Sequence, residues 1–348
     1  MADSTYLITG GAGFIGSHLT DALLERGARV VVLDDLSTGY SANLAAASTR
    51  PGFRFVRGSV LDGPLVDELV RQSGTVVHLA AAVGVRLVVE HPLDSFTTNV
   101  KGTETVLEAA HRHGKRLVVA STSEIYGKNA SGPLAEGSDR VLGSISVARW
   151  WYSTAKAVDE ILATAYHREH GLDSTVVRFF NCVGPRQSPA YGMVVPRLAA
   201  QAVRGEALTV HGTGTQRRCF THVDDTVDAL LRLLDHPGAT GGTYNVGSSE
   251  EISILALAER IRTTAGTGAP IRLVPHRDVY GPDFEDMERR VPDTTTLRDL
   301  TGWRPLRNLD TVIADALTDA RAALAGETLP SPQGERQPGA VAAGSCPA

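Results

Sequence analysis

Residues 5–39, TYLITGGAGFIGSHLTDALLERGARVVVLDDLSTG, constrain this chain more than any other stretch. Residues 5–9 read as a short buried strand, and Gly10, Gly13 and Gly16 follow at a spacing of three. A helical pattern runs over 17–26, and a second β-branched run, 29–33, ends in Asp34. Strand, glycine turn, helix, strand, acid is the order of a dinucleotide-binding βαβ unit. Gly10 suits the tight turn, Gly13 lets backbone approach a pyrophosphate at the positive helix end, and Gly16 allows close helix–strand packing. A carboxylate after the second strand accepts from an unmodified ribose 2′-hydroxyl and repels a 2′-phosphate. No Arg directly follows Asp34, so NAD is expected rather than NADP.

The alternation continues downstream. Strands are predicted over 53–57, 75–79, 116–120 and 174–179, and helices over 66–72, 97–113 and 153–170. This predicts an α/β chain with a doubly wound parallel sheet. Past Asn181 the pattern shifts to short helices, turn clusters and isolated strands such as 207–211. We therefore expect a first domain over 1–180, a smaller α/β substrate lobe over 181–325 interleaved with it, and a disordered tail over 326–348 that is rich in Pro, Gly, Ala and Ser.

Composition narrows the function. The net charge is −5, and no basic cluster points to nucleic acid. Cys182, Cys219 and Cys346 form no metal or disulfide pattern, so a cytoplasmic setting without a metal is expected. No apolar run has membrane-spanning length. His78 reads as a core histidine of a buried strand.

Two clusters carry chemistry. Ser121, Thr122, Ser123 and Glu124 follow a strand, where ligands bind in open α/β sheets. Tyr152 and Lys156 stand at i and i+4 of a helix and share a face. A lysine cation and a positive nicotinamide ring favour the phenolate, which readies Tyr152 to take a proton from a sugar hydroxyl.

With GGAGFIG at 10–16, Asp34, HLAA at 78–81, Asn99 in NVKGTE, STSEIYG at 121–127, YSTAK at 152–156, FFNCVGPR at 179–186 and RRCFTHVDD at 217–225, the chain resembles the extended short-chain dehydrogenase/reductases that act as nucleotide-sugar epimerases, dehydratases and decarboxylases. The likeness covers about residues 5–320. It implies a catalytic base at Tyr152, a ribose contact at Lys156 and a sugar-hydroxyl contact at Thr122. It further implies NAD contacts at Gly10, Gly13, Phe14, Ile15, Gly16, Asp34, Ser59, Val60, Ala80, Ala81, Asn99 and Val183. Substrate contacts fall on Thr122, Asn181, Arg186, Val195, His211, Arg218 and Arg290. Arg218 matches the family's diphosphate-binding arginine, and His211 stands where many relatives have Tyr beside the base. A homodimer is implied, with Val106, Ala109, Val158, Ile161 and Leu162 on the helices that the family pairs between subunits.

Within the family, Ser123 replaces the acid that dehydratases need. STSEIYG, the Arg-Trp-x-Tyr-Ser stretch at 149–153 and the 280–293 segment carrying Arg290 resemble UDP-glucuronate decarboxylases. The resemblance implies oxidation at C4, loss of CO2 from C5, and UDP-xylose or its 4-keto precursor as product. Ser123 and Glu124 would handle the carboxylate or a proton-donating water, and Arg290 would donate to C5 or hold the acid. A UDP-glucose or UDP-glucuronate 4-epimerase is the alternative. A non-catalytic NAD-binding regulator is the third reading, against which Tyr152, Lys156 and Thr122 count.

Overall fold

The computed structural model describes residues 4–84, 91–189, 192–281 and 284–326. Its centre is a seven-stranded sheet in which every pairing is parallel. In chain order the strands are β1 (Thr5–Thr9), β2 (Arg29–Asp34), β3 (Phe53–Arg57), β4 (Thr75–His78), β5 (Arg116–Thr122), β6 (Ser174–Phe179) and β7 (Thr243–Val246). Across the sheet they run β7-β6-β5-β4-β1-β2-β3. The chain steps outward from β1 to β3, then restarts at β4 on the other side of β1. The crevice for a ligand opens at that reversal, beyond the carboxyl ends of β1 and β4.

The strands form where the sequence predicts them because Val30–Val32, Val76–Val77 and Leu117–Val119 are β-branched or aliphatic runs buried on both faces. The helices that cover them are α1 (Phe14–Glu25), α2 (Gly63–Gln72), α3 (Pro92–Arg112) and α4 (Trp151–His170). Each begins earlier than its apolar pattern. For α2 the reason is local: Asp62 caps it by accepting from the Leu65 amide at 3.1 Å, and Pro64 sits in its first turn. β5 runs two residues beyond its apolar stretch, so Ser121 and Thr122 are the strand's end, and a 3-10 turn, Ser123–Tyr126, follows.

The second lobe has its own core, with Val195, Leu198, Phe220, Leu257, Ile261, Val312 and Ile313 among its buried members. Small sheets cover it, including a three-stranded one in which Arg217–Cys219 lies between Glu251–Ser253 and Arg289–Arg290. The chain then returns to the main sheet, since β7 pairs with β6 from Thr243↔Val176 to Val246↔Phe179.

Of the apolar residues expected at a subunit interface, Val106 and Ala109 are instead buried within this chain, and Leu162 packs on the same core. Ile161 is 62% exposed. Among the described residues no helix is long and apolar enough to cross a membrane, and no cluster of His, Cys, Asp or Glu could hold a metal. The expected tail, with Cys346, lies outside the described residues apart from Gly326.

Candidate active site

A cleft of about 600 Å³ opens beyond the carboxyl ends of β1, β4 and β5. Its cofactor-side wall is the glycine turn. Gly10 has φ +71°, and a Cβ there would lie 2.6 Å from the Ala80 amide nitrogen. At Gly16 a Cβ would meet the Gly10 carbonyl at 2.3 Å. Both glycines are thus required by the fold itself, and they bring the N-terminus of α1 to the cleft. Gly13, Phe14, Ile15, Val60, Ala80 and Ala81 line the same wall.

Asp34 also reaches the cleft but is already engaged. Its Oδ2 accepts from the Ala12 amide at 2.9 Å and its Oδ1 from the Leu36 amide at 2.8 Å. Burial raises its pKa, and the two amides oppose that rise. The carboxylate therefore holds the turn in shape while presenting its remaining lone pairs. Leu36 itself sits at φ +62°, a strained angle for a leucine. These features fit an adenine ribose and a pyrophosphate.

Tyr152, Lys156 and Thr122 meet at the floor. The Tyr152 hydroxyl is hydrogen-bonded with Thr122, whose Oγ1 also accepts from the Glu124 amide at 3.2 Å. The lysine is fully buried, with its Nζ donating to the Ala120 carbonyl at 3.0 Å and lying 3.1 Å from Asp159. The expected lowering of the Tyr152 pKa is not supplied by these residues. Burial pushes the phenol up, the Glu124 and Asp159 charges push it further, and Thr122 and Arg290 oppose them. The lysine's charge is balanced by Asp159, which the motif alone did not show. The positive nicotinamide ring is the other cation the sequence argument invoked.

The substrate side is a charge cluster drawn from four separate segments. Glu124 comes from the turn after β5, Arg149 from the 3-10 turn Ala148–Trp150, Asn181 from two residues beyond the end of β6, and Arg290 from the short strand Arg289–Arg290. Arg149 holds Glu124 with two donors, Nη1 to Oε2 and Nη2 to Oε1, the latter at 2.8 Å. Arg290 reaches Glu124 Oε1 at 3.1 Å and Asn181 Oδ1 at 2.5 Å. Burial alone would raise the Glu124 carboxyl, but Arg149 and Arg290 overcome it and hold the pKa at about 2. Glu124 is therefore an anion that orients two guanidinium groups, and it is badly placed to deliver a proton. Arg149 Nε and Arg290 Nε are buried with no partner, and both side chains face the cleft.

Sequence reasoning missed Arg149. Its signal was present in the Arg-Trp-x-Tyr-Ser stretch, but nothing local shows that this arginine turns towards Glu124. Several other expected contacts do not line the cleft. Arg218 is buried and pairs with Asp286 at 3.0 Å, beside Arg290 on the neighbouring strand. His211 contacts the Tyr280 hydroxyl at 3.1 Å, and burial lowers its pKa to about 4. Val183 and Val195 pack in the second core. Asn99 is spent on the Ala82 backbone, accepting from its amide at 2.8 Å and donating to its carbonyl. Ser59 accepts from the Leu61 amide within a turn. Arg186 does line the cleft, with φ +68°, while pairing with Asp21 at 2.8 Å.

Residues 6–247 match the NAD dependent epimerase/dehydratase family. Over 300 residues the chain is 39% identical to the UDP-N-acetyl-alpha-D-glucosaminuronate decarboxylase of Bacillus cytotoxicus, which covers 86% of this chain and 92% of that protein. It is equally identical over 300 residues to UDP-glucuronic acid decarboxylase 3 of Arabidopsis thaliana, covering 86% and 84%. The fold matches that of DesIV, a dTDP-glucose 4,6-dehydratase from Streptomyces venezuelae solved with NAD and TYD bound. The TM-score is 0.84 at 31% identity, over 92% of this chain and 98% of that one. One fold thus serves more than one nucleotide-sugar reaction, and the side chains in the cleft must decide which.

Proposed function

The chain belongs to the NAD-dependent epimerase/dehydratase family, and from that premise we propose that it decarboxylates a UDP-hexuronate through a 4-keto intermediate. One observation carries the reading. At the sugar end of the cleft two buried guanidinium groups share a single carboxylate, and each keeps a buried N–H without a partner. Two cations on one anion leave a net positive charge, which suits a second carboxylate, that of a uronic acid. The names of the two decarboxylase relatives support the same substrate class, with hydroxyl or acetamido at C2 left open.

Bound NAD supplies the acceptor for the C4 hydride. The glycine turn, the α1 N-terminus and Asp34 would hold it, and Lys156 would reach its nicotinamide ribose. Tyr152, as phenolate, takes the proton of the C4 hydroxyl, and Thr122 orients that hydroxyl. The resulting ketone is β to the C5 carboxylate. When the C5–carboxylate bond breaks, its electron pair passes into C5–C4 and on to the C4 oxygen, and CO2 departs. Tyr152 and Thr122 face that oxygen as donors while charge develops on it. Arg149 and Arg290 orient the carboxylate, and the enolate takes a proton at C5 from a water molecule, leaving hydroxide and completing the 4-keto pentose.

Purified protein incubated with UDP-glucuronate, and separately with UDP-N-acetylglucosaminuronate, tests this. CO2 release with a UDP-linked pentose, seen by NMR, is the expected outcome with at least one of them. Conversion of UDP-glucuronate to UDP-galacturonate without CO2 would replace the reading with 4-epimerisation.

A further inference from the structure

Asp159 has no place in the chemistry described so far, yet it is fully buried. It lies three residues after Lys156 on α4, and its Oδ2 is 3.1 Å from the lysine Nζ. An isolated carboxylate in such a position is strongly unfavourable unless it is paired and surrounded by donors. Apart from Lys156, the donor facing it is the hydroxyl of Thr103 on α3. Neither carboxylate oxygen makes a hydrogen bond of full geometry, so Asp159 rests chiefly on the lysine's charge.

Behind Thr103 a line of buried polar groups crosses beneath the cleft. His78 Nε2 is 3.0 Å from Thr103 Oγ1, and His78 Nδ1 is 2.7 Å from Thr9 Oγ1. The Ala80 amide donates to that same Thr9 oxygen at 3.3 Å. One arrangement of protons is consistent along the line. The Ala80 amide donates to Thr9, the Thr9 hydroxyl to His78 Nδ1 and His78 Nε2–H to Thr103, which leaves the Thr103 hydroxyl proton to face Asp159. The imidazole must then be neutral, which agrees with burial and the Lys156 charge lowering its pKa to about 3. All dipoles in this line point their positive ends at Asp159, and such chains reinforce one another.

We propose that Asp159 is the built-in counter-ion of Lys156, which turns the Tyr152–Lys156 pair into a charge-balanced triad and so sets the pH range over which Tyr152 takes a proton. Asp159 touches neither substrate nor cofactor in this role and is a positioning residue. The inference rests on Tyr152 being the base. The other charges near the triad are already committed. Glu160, on the same helix, forms a two-pronged pair with Arg178 at 2.6 and 2.8 Å. Glu124 and Arg290, facing Tyr152 from the turn after β5 and from the second lobe, hold each other. Asp159 is thus the carboxylate whose removal leaves the Lys156 charge unbalanced beside the phenol.

The test is a pH titration of Tyr152 itself in the full-length, NAD-loaded protein. Tyrosine labelled with 13C at Cζ reports phenolate formation by NMR, and loss of a resonance in Tyr152→Phe assigns it. Asp159→Asn should move the Tyr152 midpoint down by about one pH unit, because the lysine cation is no longer offset. Thr103→Val removes the dipole facing Asp159 but leaves the carboxylate charge, so the Tyr152 midpoint should stay within a few tenths of a unit of the parent's or rise slightly. Equal midpoints in the parent and Asp159→Asn overturn the proposal, and if the asparagine variant does not fold, an unmoved midpoint in Asp159→Ser does so. In turnover of a UDP-uronic acid, the acidic limb of kcat should shift the same way with KM within about threefold. Should the parent release no CO2 while the Tyr152 midpoint still moves, the decarboxylase reading falls and the counter-ion role stands.

Discussion

The two walls of the cleft are built in opposite ways. The cofactor wall comes mainly from one contiguous stretch, β1 through Asp34, and its polar demands are met by its own backbone: Asp34 is held by the Ala12 and Leu36 amides. The substrate wall takes Glu124, Arg149, Asn181 and Arg290 from across nearly half the chain and holds them by charge. A wall of the first kind is fixed by local geometry and is shared among enzymes with one cofactor. A wall of the second kind depends on tertiary assembly, and it is where one member of the fold departs from another.

Mutations should separate the two walls. The largest effect is expected at Tyr152, where they meet. Tyr152→Phe should retain NAD yet lose roughly 10²–10⁴ in turnover, the usual contribution of a positioned acid–base group. Near-normal turnover would remove Tyr152 from the chemistry. On the substrate wall, Arg290→Met should lower CO2 release by roughly 10²–10³, as when one donor to a developing charge is removed, and Glu124→Gln should lower it by a similar factor, because it releases the two guanidinium groups that Glu124 orients. Bound NAD should remain in both. Because Arg290 reaches Glu124 directly, the double variant should lose much less than the product of the single losses. Fully multiplicative losses would show that the two act apart and that the cluster is not one unit.

A smaller effect distinguishes the walls by pH. Beneath the cofactor wall, His78 titrates at about 3 when folded, against an ordinary value near 6.5. The unfolded chain then binds more protons at this site, so stability falls as pH drops from 6.5 towards 3, by at most roughly 1.4 kcal/mol per pH unit. Glu124, at about 2 when folded against 4.5, gives the same sign in a lower window, with stability lost from 4.5 towards 2. Denaturant titrations between pH 6.5 and 4.5 should therefore flatten in His78→Gln relative to the parent, while Glu124→Gln should differ from the parent's slope only below that range. A His78→Gln slope equal to the parent's would mean that the folded protein accepts a charged imidazole there.

This contrast also explains what could be read in advance. The glycine turn was legible because φ +71° at Gly10 and the contact of Gly16 with the Gly10 carbonyl are requirements of a few neighbouring residues. β3 and β6 were legible because their apolar runs are bounded by turns. β7 was not, since TYNV is four residues long and takes its place only by pairing with β6. Arg149 could be quoted in a motif but not placed, because its partner lies 25 residues earlier. Asp159 reads as one more charge on a helix until Thr103 and His78 close over it, and neither is near it in sequence. Arg218 shows the converse: a motif match proposes a ligand contact, and only the tertiary structure shows that the side chain is paired with Asp286 beside Arg290.

The smallest expected effect tests whether the cofactor wall is as local as it looks. We assign Asp34 two duties, one to the ribose and one to its own turn. Asp34→Ala removes both, leaving the Ala12 and Leu36 amides without an acceptor, and should weaken NAD binding on the order of tenfold. Asp34→Asn keeps an acceptor oxygen for one of those amides and discards the charge. If the two duties are separable, Asn should cost less NAD affinity than Ala, yet narrow the preference for NAD over NADP by a similar factor, because repulsion of a 2′-phosphate depends on charge alone. Asp35 lines the same cleft and accepts from the Ser37 amide at 2.9 Å, so Asp35→Asn is the matched control for a carboxylate one residue further along. Calorimetry on the parent with both dinucleotides decides the premise. Equal affinities would mean that the carboxylate serves the turn only, and the choice of dinucleotide would then have to come from the rest of the cleft.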